Sequence, residues 1–365
     1  MFSSIRAGYI FLVIGFFIGC DNSGGTSDGD LLHIAYVPKD YPVMIPKGLP
    51  PLPEVPENPQ TVDGVLLGRH LFFDPILSLD STLSCSGCHD PRKAFTDNLP
   101  VSPGVGGTLG NRSSMTILNS AYFVKGLFWD GRVGTLEKQA IEPVQNPVEM
   151  HENWPRVVDK LRRHEKYPEL FRKAFGISDR SEISQELAAK AIAQYERLAL
   201  TGGQSLYQRQ LRGEVFFDPD QQEGHDLYFN ADLLIPDAEC FHCHAAPLMH
   251  ANDFFNNGID TVVSLDDFQD KGRGQVTGLN IDNGKFKAPT LYNIELTAPY
   301  MHDGRFKTLE EVIEHYNIGG HFAKNKDGFV RPLGLNKSQK KSLLAFLRTL
   351  TDTSYLKNPD IFSPF

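Results

Sequence analysis

Two pentapeptides constrain this chain more than anything else in it: Cys85-Ser86-Gly87-Cys88-His89 and Cys240-Phe241-His242-Cys243-His244. Two thiols three positions apart, followed at once by an imidazole, are the attachment signature of c-type haem. The thiols add across the haem vinyl groups, and the adjacent His falls under the iron as its proximal ligand. Paired Cys-x-x-Cys also binds zinc, but zinc ribbons keep their pairs closer in sequence and need no His after each pair. The spacing therefore predicts two covalent haems, held by Cys85, Cys88, Cys240 and Cys243, with His89 and His244 on the two irons. Four of the five cysteines are used in this way.

The fifth points to a compartment. Residues 1–19 carry one early cation, Arg6, and then a nearly unbroken apolar run from Ile10 to Ile18. That run is too short to span a bilayer as a mature helix and reads as an export signal. It ends in Phe17-Ile18-Gly19-Cys20, which resembles the lipobox of bacterial lipoproteins. Residues 1–19 then read as a lipoprotein signal peptide, and Cys20 as a lipidated N-terminus that holds the protein to a membrane. An ordinary secretory signal and an uncleaved helical anchor are the alternatives. Residues 20–35, polar and Gly-rich at their start, read as a flexible tether. The expected location is the bacterial cell envelope, on the periplasmic side.

A chain of 365 residues can hold two domains with real cores. The formal net charge of -9 argues against a nucleic-acid partner. Internal similarity then fixes the organisation. The first half reads Gly68-Arg69-His70-Leu71-Phe72-Phe73, a haem motif, Thr116-Ile117-Leu118-Asn119, Asp130-Gly131-Arg132 and Thr135-Leu136-Glu137. The second reads Gly224-His225-Asp226-Leu227-Tyr228-Phe229, a haem motif, Thr290-Leu291-Tyr292-Asn293, Asp303-Gly304-Arg305 and Thr308-Leu309-Glu310. An insertion, Asn252 to Lys285, interrupts the second copy and reads as loop or hairpin.

The expected fold is mostly α: two duplicated cytochrome c-like domains, 36–205 and 206–365, each with one covalent haem. Helices are expected over Val62–Phe72 and Gln221–Phe229, leading into the haem motifs. Ser184–Leu200 has apolar residues at helical spacing before Gly202-Gly203 and is expected to connect the domains. Lys337–Leu350 is a similar amphipathic helix. Pro38 to Pro59 lacks periodicity and reads as an extended wrap.

The iron's sixth position decides the chemistry, because a filled position moves electrons and an open one admits peroxide. Counting from Arg132 and Arg305, Pro143 and Tyr316 coincide. Proline offers no donor atom and tyrosine offers a phenolate. The first haem is thus expected to be open and the second His/Tyr-ligated. Met301 is the rival ligand, with Met249 and His250 behind it. A hard anionic phenolate should stabilise the oxidised iron. Arg112, Arg132 and Arg305 are candidate partners of haem propionates.

Beyond the tether the chain resembles the di-haem cytochrome c peroxidase/MauG superfamily. The residues that carry the resemblance are both haem motifs, Phe128-Trp129-Asp130-Gly131-Arg132, Gln139, Pro143-Val144-Gln145, Val148-Glu149-Met150 and Ala298-Pro299-Tyr300-Met301-His302-Asp303-Gly304. Ordinary members carry a removable distal His at about Val105 and a Met where this chain has Tyr316. On both positions the chain sides with the MauG-like branch. The resemblance implies Glu149 as acid and base toward peroxide, Gln139 as the residue orienting it, and Trp129 as a relay between the haems. It also implies a calcium ion between the domains, on the carbonyls of Thr297 and Pro299. Ser113 holds the third position, where its hydroxyl is a poorer calcium ligand than an amide oxygen.

The expected activity is reduction of hydrogen peroxide with electrons from a small redox protein, a c-type cytochrome or a cupredoxin. A MauG-like oxidase modifying a partner protein and a non-catalytic dihaem electron-transfer cytochrome are the alternatives.

Overall fold

The computed structural model describes Met1 and residues 29–365. The expected leader beyond Met1, Cys20 and the tether up to residue 28 lie outside the described residues. The first half runs through α1 (Val62–Phe73), α2 (Cys85–Cys88), α3 (Leu136–Gln145), α4 (Trp154–Arg163), α5 (Tyr167–Phe175) and α6 (Gln185–Glu196). The second runs through α7 (Leu206–Leu211), α8 (Pro219–Phe229), α9 (Cys240–Cys243), α10 (Arg273–Thr277), α11 (Leu309–Asn317) and α12 (Lys337–Arg348). Side-chain caps explain the starts. Thr61 accepts from the Gly64 amide, Ser184 from Leu187, Asp218 from Gln221 and Asn336 from Gln339.

Each half is built on one helix crossing, α1 on α6 and α8 on α12. The same repeated glycine makes both crossings close. A Cβ at Gly68 would lie 1.9 Å from the Ala191 carbonyl oxygen, and one at Gly224 would lie 1.9 Å from that of Ser342. Two separate apolar cores form around these pairs. Leu67, Leu71, Phe72 and Tyr195 lie in the first, and Leu227, Tyr228, Phe346 and Leu350 in the second. No helix among the described residues is long and apolar enough to cross a membrane.

Three expectations change. The helix expected over Ser184–Leu200 ends at Glu196, and it does not connect the domains: its Ala- and Ile-rich face is buried against α1 within the first core. The tether expected over 20–35 ends early, because Leu31 is buried in the first core and its amide donates to the Ser178 carbonyl. The last residues of the chain also leave the second core. Tyr355 and Ile361 join the first core, while Arg69 bonds the Phe362 carbonyl and the Tyr195 hydroxyl the Ile361 carbonyl.

The insertion forms the expected hairpin-like excursion. At its base β1 (Phe254–Phe255) pairs antiparallel with β2 (Phe286–Lys287). Its tip folds back onto the first half, where Asp270 accepts from the Nε and Nη2 of Arg112 at 2.7 and 2.8 Å and Arg273 donates to the Asp130 and Gly131 carbonyls.

The halves meet through reciprocal bonds. The Ser113 amide donates to the His302 carbonyl at 2.7 Å, and the equivalent amide of Lys287 donates to the Trp129 carbonyl at 2.8 Å. The Asn98 side chain donates to the Leu296 and Ala298 carbonyls of the second half. The Asn252 side chain donates to the Tyr122 carbonyl of the first. Equivalent residues thus exchange equivalent bonds, as in a two-fold dimer written into one chain.

Candidate active site and haem centres

Each Cys-x-x-Cys segment forms a single helical turn, and the following His amide closes it, His89 onto the Cys85 carbonyl and His244 onto that of Cys240 at 3.0 Å each. The four thiols are unpaired. The His89 Nδ1 lies 3.1 Å from the Phe95 carbonyl oxygen, and the His244 Nδ1 lies 2.9 Å from that of Pro289. A carbonyl only accepts, so Nδ1 carries the hydrogen in both rings and the Nε2 lone pair is left for a metal. Burial disfavours the imidazolium, lowering the pKa of His89 and taking that of His244 down to about 4. Both rings are held neutral and singly oriented, as a haem ligand must be.

Each His opens into a cavity. The first encloses about 570 Å³ and the second about 210 Å³. At each cavity the two thiols and the oriented imidazole fit a covalently held macrocycle.

Around the first cavity stand Gln139, Pro143, Glu149, Trp129 and Arg132 with Cys88 and His89. Thr135 caps α3 through its hydroxyl, which fixes the register that points Gln139 and Pro143 at the cavity one turn apart. The Gln139 Oε1 is buried and has no protein partner. The Glu149 Oε1 accepts from the Asn146 side chain at 2.6 Å. Burial raises the Glu149 pKa against the opposing pull of Asn146 and Arg132. Val105 does not line this cavity; its amide donates to the Glu149 carbonyl at 2.8 Å, so its loop braces the carboxylate's backbone.

The second cavity is lined by Tyr316, Met301, Val312, His302 and Trp129 with Cys240, Cys243 and His244. Thr308 caps α11 as Thr135 caps α3, so Val312 and Tyr316 occupy the places of Gln139 and Pro143. The Tyr316 phenol is pushed up to about 12, chiefly by burial. Asn257 reaches both rival donors, 3.2 Å from the Met301 sulfur and 3.4 Å from the Tyr316 oxygen. Met249 is packed in the second core, His250 lies edge-on to Phe123, and neither lines the cavity.

Trp129 and Ser113 line both cavities. The Trp129 indole N–H donates to the Ser113 carbonyl at 2.9 Å. Thr297 and Pro299 line the second cavity beside Ser113, whose hydroxyl donates to the Met301 carbonyl at 3.0 Å. The arginines are engaged by carboxylates: Arg112 by Asp130 and Asp270, Arg132 by Asp130, Arg305 by Asp260 and Asp303. Arg112 and Arg132 still border the first cavity, and Arg305 does not border the second.

Sequence reasoning missed Glu196, Gln275 and Lys287. Glu196 lines the first cavity, its Oε2 has no partner, and burial pushes its pKa up to about 8. Its spacing from Ala189 and Ile192 places it on the inner face of α6, a signal the sequence did contain.

Comparison with known proteins agrees with this geometry. The family model described as di-haem cytochrome c peroxidase matches residues 62–215. A cytochrome-c peroxidase (IdrP1) of Denitromonas iodatirespirans is 33% identical, the match covering 86% of this chain and 88% of that protein. The methylamine utilization protein MauG of Methylorubrum extorquens is 31% identical over 82% of this chain and 81% of its own length. This chain belongs to the di-haem cytochrome c peroxidase/MauG family. Among solved structures, a MauG-like protein associated with microbial copper homeostasis superposes with a TM-score of 0.79 at 34% identity, covering 89% of this chain and 99% of that one. As a member of the family the protein is an oxidoreductase of the cytochrome-c peroxidase type, and the family implies haem c as its cofactor.

Proposed function

We propose that this protein reduces hydrogen peroxide to water at the first cavity, with electrons supplied by a small redox protein such as a c-type cytochrome or a cupredoxin. One observation carries the reading: at equivalent helical positions the first cavity has Pro143, which has no donor atom, and the second has Tyr316. The haems supply redox-active iron; the first would be held by Cys85, Cys88 and His89, the second by Cys240, Cys243, His244 and, as we read it, Tyr316 rather than Met301. The chain's own groups do the rest. Gln139 orients the peroxide. Glu149, held through one oxygen by Asn146, takes a proton from one peroxide oxygen and returns it to the other. A carboxylate whose pKa is raised by burial suits both halves of that transfer. Two further protons and two electrons complete two waters as the O–O bond breaks. Trp129, bordering both cavities, relays the electrons.

Rapid mixing of the all-ferric protein with peroxide is expected to change its absorbance without prior reduction, because no side chain from the Val105 loop must first leave the iron. No change would count against the reading. Electron paramagnetic resonance of the resting protein should give one high-spin and one low-spin ferric signal, and Tyr316→Phe should alter only the low-spin one. Two low-spin signals that Tyr316→Phe leaves intact would return the protein to the class of plain electron carriers.

A second reading is favoured by Tyr316 together with the likeness to the MauG-like protein associated with microbial copper homeostasis. On it the oxidising equivalents are withdrawn from a partner protein. A covalent change in a partner after incubation with peroxide would select it. Calcium on Ser113, Thr297 and Pro299 is supported by their shared place at the lining of the second cavity; metal analysis after gel filtration checks it. The leader supports an envelope lipoprotein, which Cys20→Ser should release from the membrane fraction.

A further inference from the structure

Lys287 is a charged side chain that neither the haem motifs nor the chemistry above uses. It is only 2% exposed, and its Nζ has no hydrogen-bond partner. It lines the second cavity, and its backbone amide holds the Trp129 carbonyl. The ammonium lies over two ring faces, Phe123 from the first half at 4.8 Å and Phe254 from the insertion at 4.5 Å. Asp253, the acid that acts on it, is already paired with Lys125, and Arg273 and Lys125 add further positive charge. Ring faces recover only part of what it costs to bury an ammonium without a counter-ion. As it stands the group is desolvated enough to bring its pKa down to about 8. The site calls for an anion. At the equivalent place in the first half stands Ser113, an uncharged hydroxyl, so the Lys287 charge has no counterpart at that position.

We infer that the Lys287 ammonium pairs with a carboxylate of the haem in the second cavity, and that this fixed positive charge beside Trp129 favours placing the electron on that haem. The inference rests on the two-haem reading above. It also supplies what Tyr316 takes away. An anionic phenolate favours the oxidised iron, and a cation at the macrocycle's edge favours the reduced one.

The test is a spectroelectrochemical titration of the holoprotein, with haem content counted first. Lys287→Gln is expected to lower the midpoint potential of the second haem by a tenfold change in its electron equilibrium, about 59 mV for a one-electron couple, and to leave the first haem where it was. Lys287→Arg should restore most of the shift, since it keeps the charge. A merely structural staple between Phe123 and Phe254 would change thermal stability and move neither potential. Unchanged potentials in Lys287→Gln, or equal shifts of both haems, overturn the inference. Should that variant not fold, Lys287→Met keeps the packed stem and must show the same one-sided shift. A wild-type protein without haem on Cys240 and Cys243 would instead sink the two-haem reading and this inference with it.

Discussion

In the first half Asn119 donates its amide to the Ala199 carbonyl, and in the second Asn293 donates to that of Leu350; Thr116 and Thr290 likewise bond the carbonyls of Ala94 and Leu248. These pairs hold the backbone, and duplication has kept them. Around the cavities the pairs part company: Gln139 against Val312, Pro143 against Tyr316, Ser113 against Lys287, Trp129 against His302. Each helix presents one polar and one apolar side chain to its cavity, one turn apart, and the two halves reverse the order. The kept residues satisfy buried backbone groups, which any copy of the fold must do. The replaced ones set what each cavity can bind, so function should be sought where the copies differ.

The sharpest test of that difference is Glu149→Gln. It keeps the shape and removes the proton carrier, so kcat/KM for peroxide should fall by about 10²–10⁴-fold, the usual contribution of a positioned acid or base. The low-spin signal of the second haem should not move. An unchanged rate would mean that the halves differ for a reason other than peroxide chemistry.

Glu196 tests the same cavity through stability. Burial pushes its pKa from 4.5 up to about 8, so the folded state binds this proton more tightly than the unfolded chain. Its favourable contribution is whole below pH 4.5 and is lost as pH rises from there to about 8, by up to about 1.4 kcal/mol per pH unit. Glu196→Gln should flatten the slope of unfolding free energy across that window, as read by urea denaturation at pH 5 and pH 8. Arg197 pulls the other way, but it is shared with Glu137.

The helix crossings should respond alike. Alanine is worth about 1 kcal/mol over glycine in a helix interior. That gain is outweighed where a Cβ meets a carbonyl oxygen at 1.9 Å, so Gly68→Ala and Gly224→Ala should each destabilise by about 1–3 kcal/mol or more. Two separate unfolding transitions in either variant would show that the halves fold independently. A single transition would show that the reciprocal contacts and the crossing C-terminal residues bind them into one unit.

Much of this was legible beforehand because it is local. The haem motifs, the repeated Thr-Leu-Glu that opens α3 and α11 and the apolar periodicity of α12 lie within a few residues of sequence, and the internal repeat aligns Pro143 with Tyr316. What stayed hidden depends on distant partners. The periodicity of α6 showed an apolar face but could not say that α1 covers it. Leu31 and Leu32 follow a polar run side by side, and only the core around Ile177 explains why Leu31 is the one that is buried. The burial of Lys287 needs Phe123 from the other half. No helix was expected over α4 or α5, although Asn153 before Trp154-Pro155 is a good start signal.

The smallest expected effects lie at the paired asparagines between the halves. Asn98 and Asn252 both adopt left-handed backbone, φ 60° and 52°, so replacement by alanine would add strain to the loss of bonds. Glycine removes the side chain without that strain. Asn98→Gly deletes two bonds to carbonyls, at 2.8 and 3.0 Å, and should cost about 1–2 kcal/mol. Asn252→Gly deletes two longer ones, at 3.1 Å to Tyr122 and 3.3 Å from Lys125, and should cost less. If the halves are held as equivalent partners, the double variant should lose about the sum, because the two clamps sit in different loops and share no atom. A loss well beyond the sum would mean that each clamp holds only while the other does, and that the interface opens as one hinge.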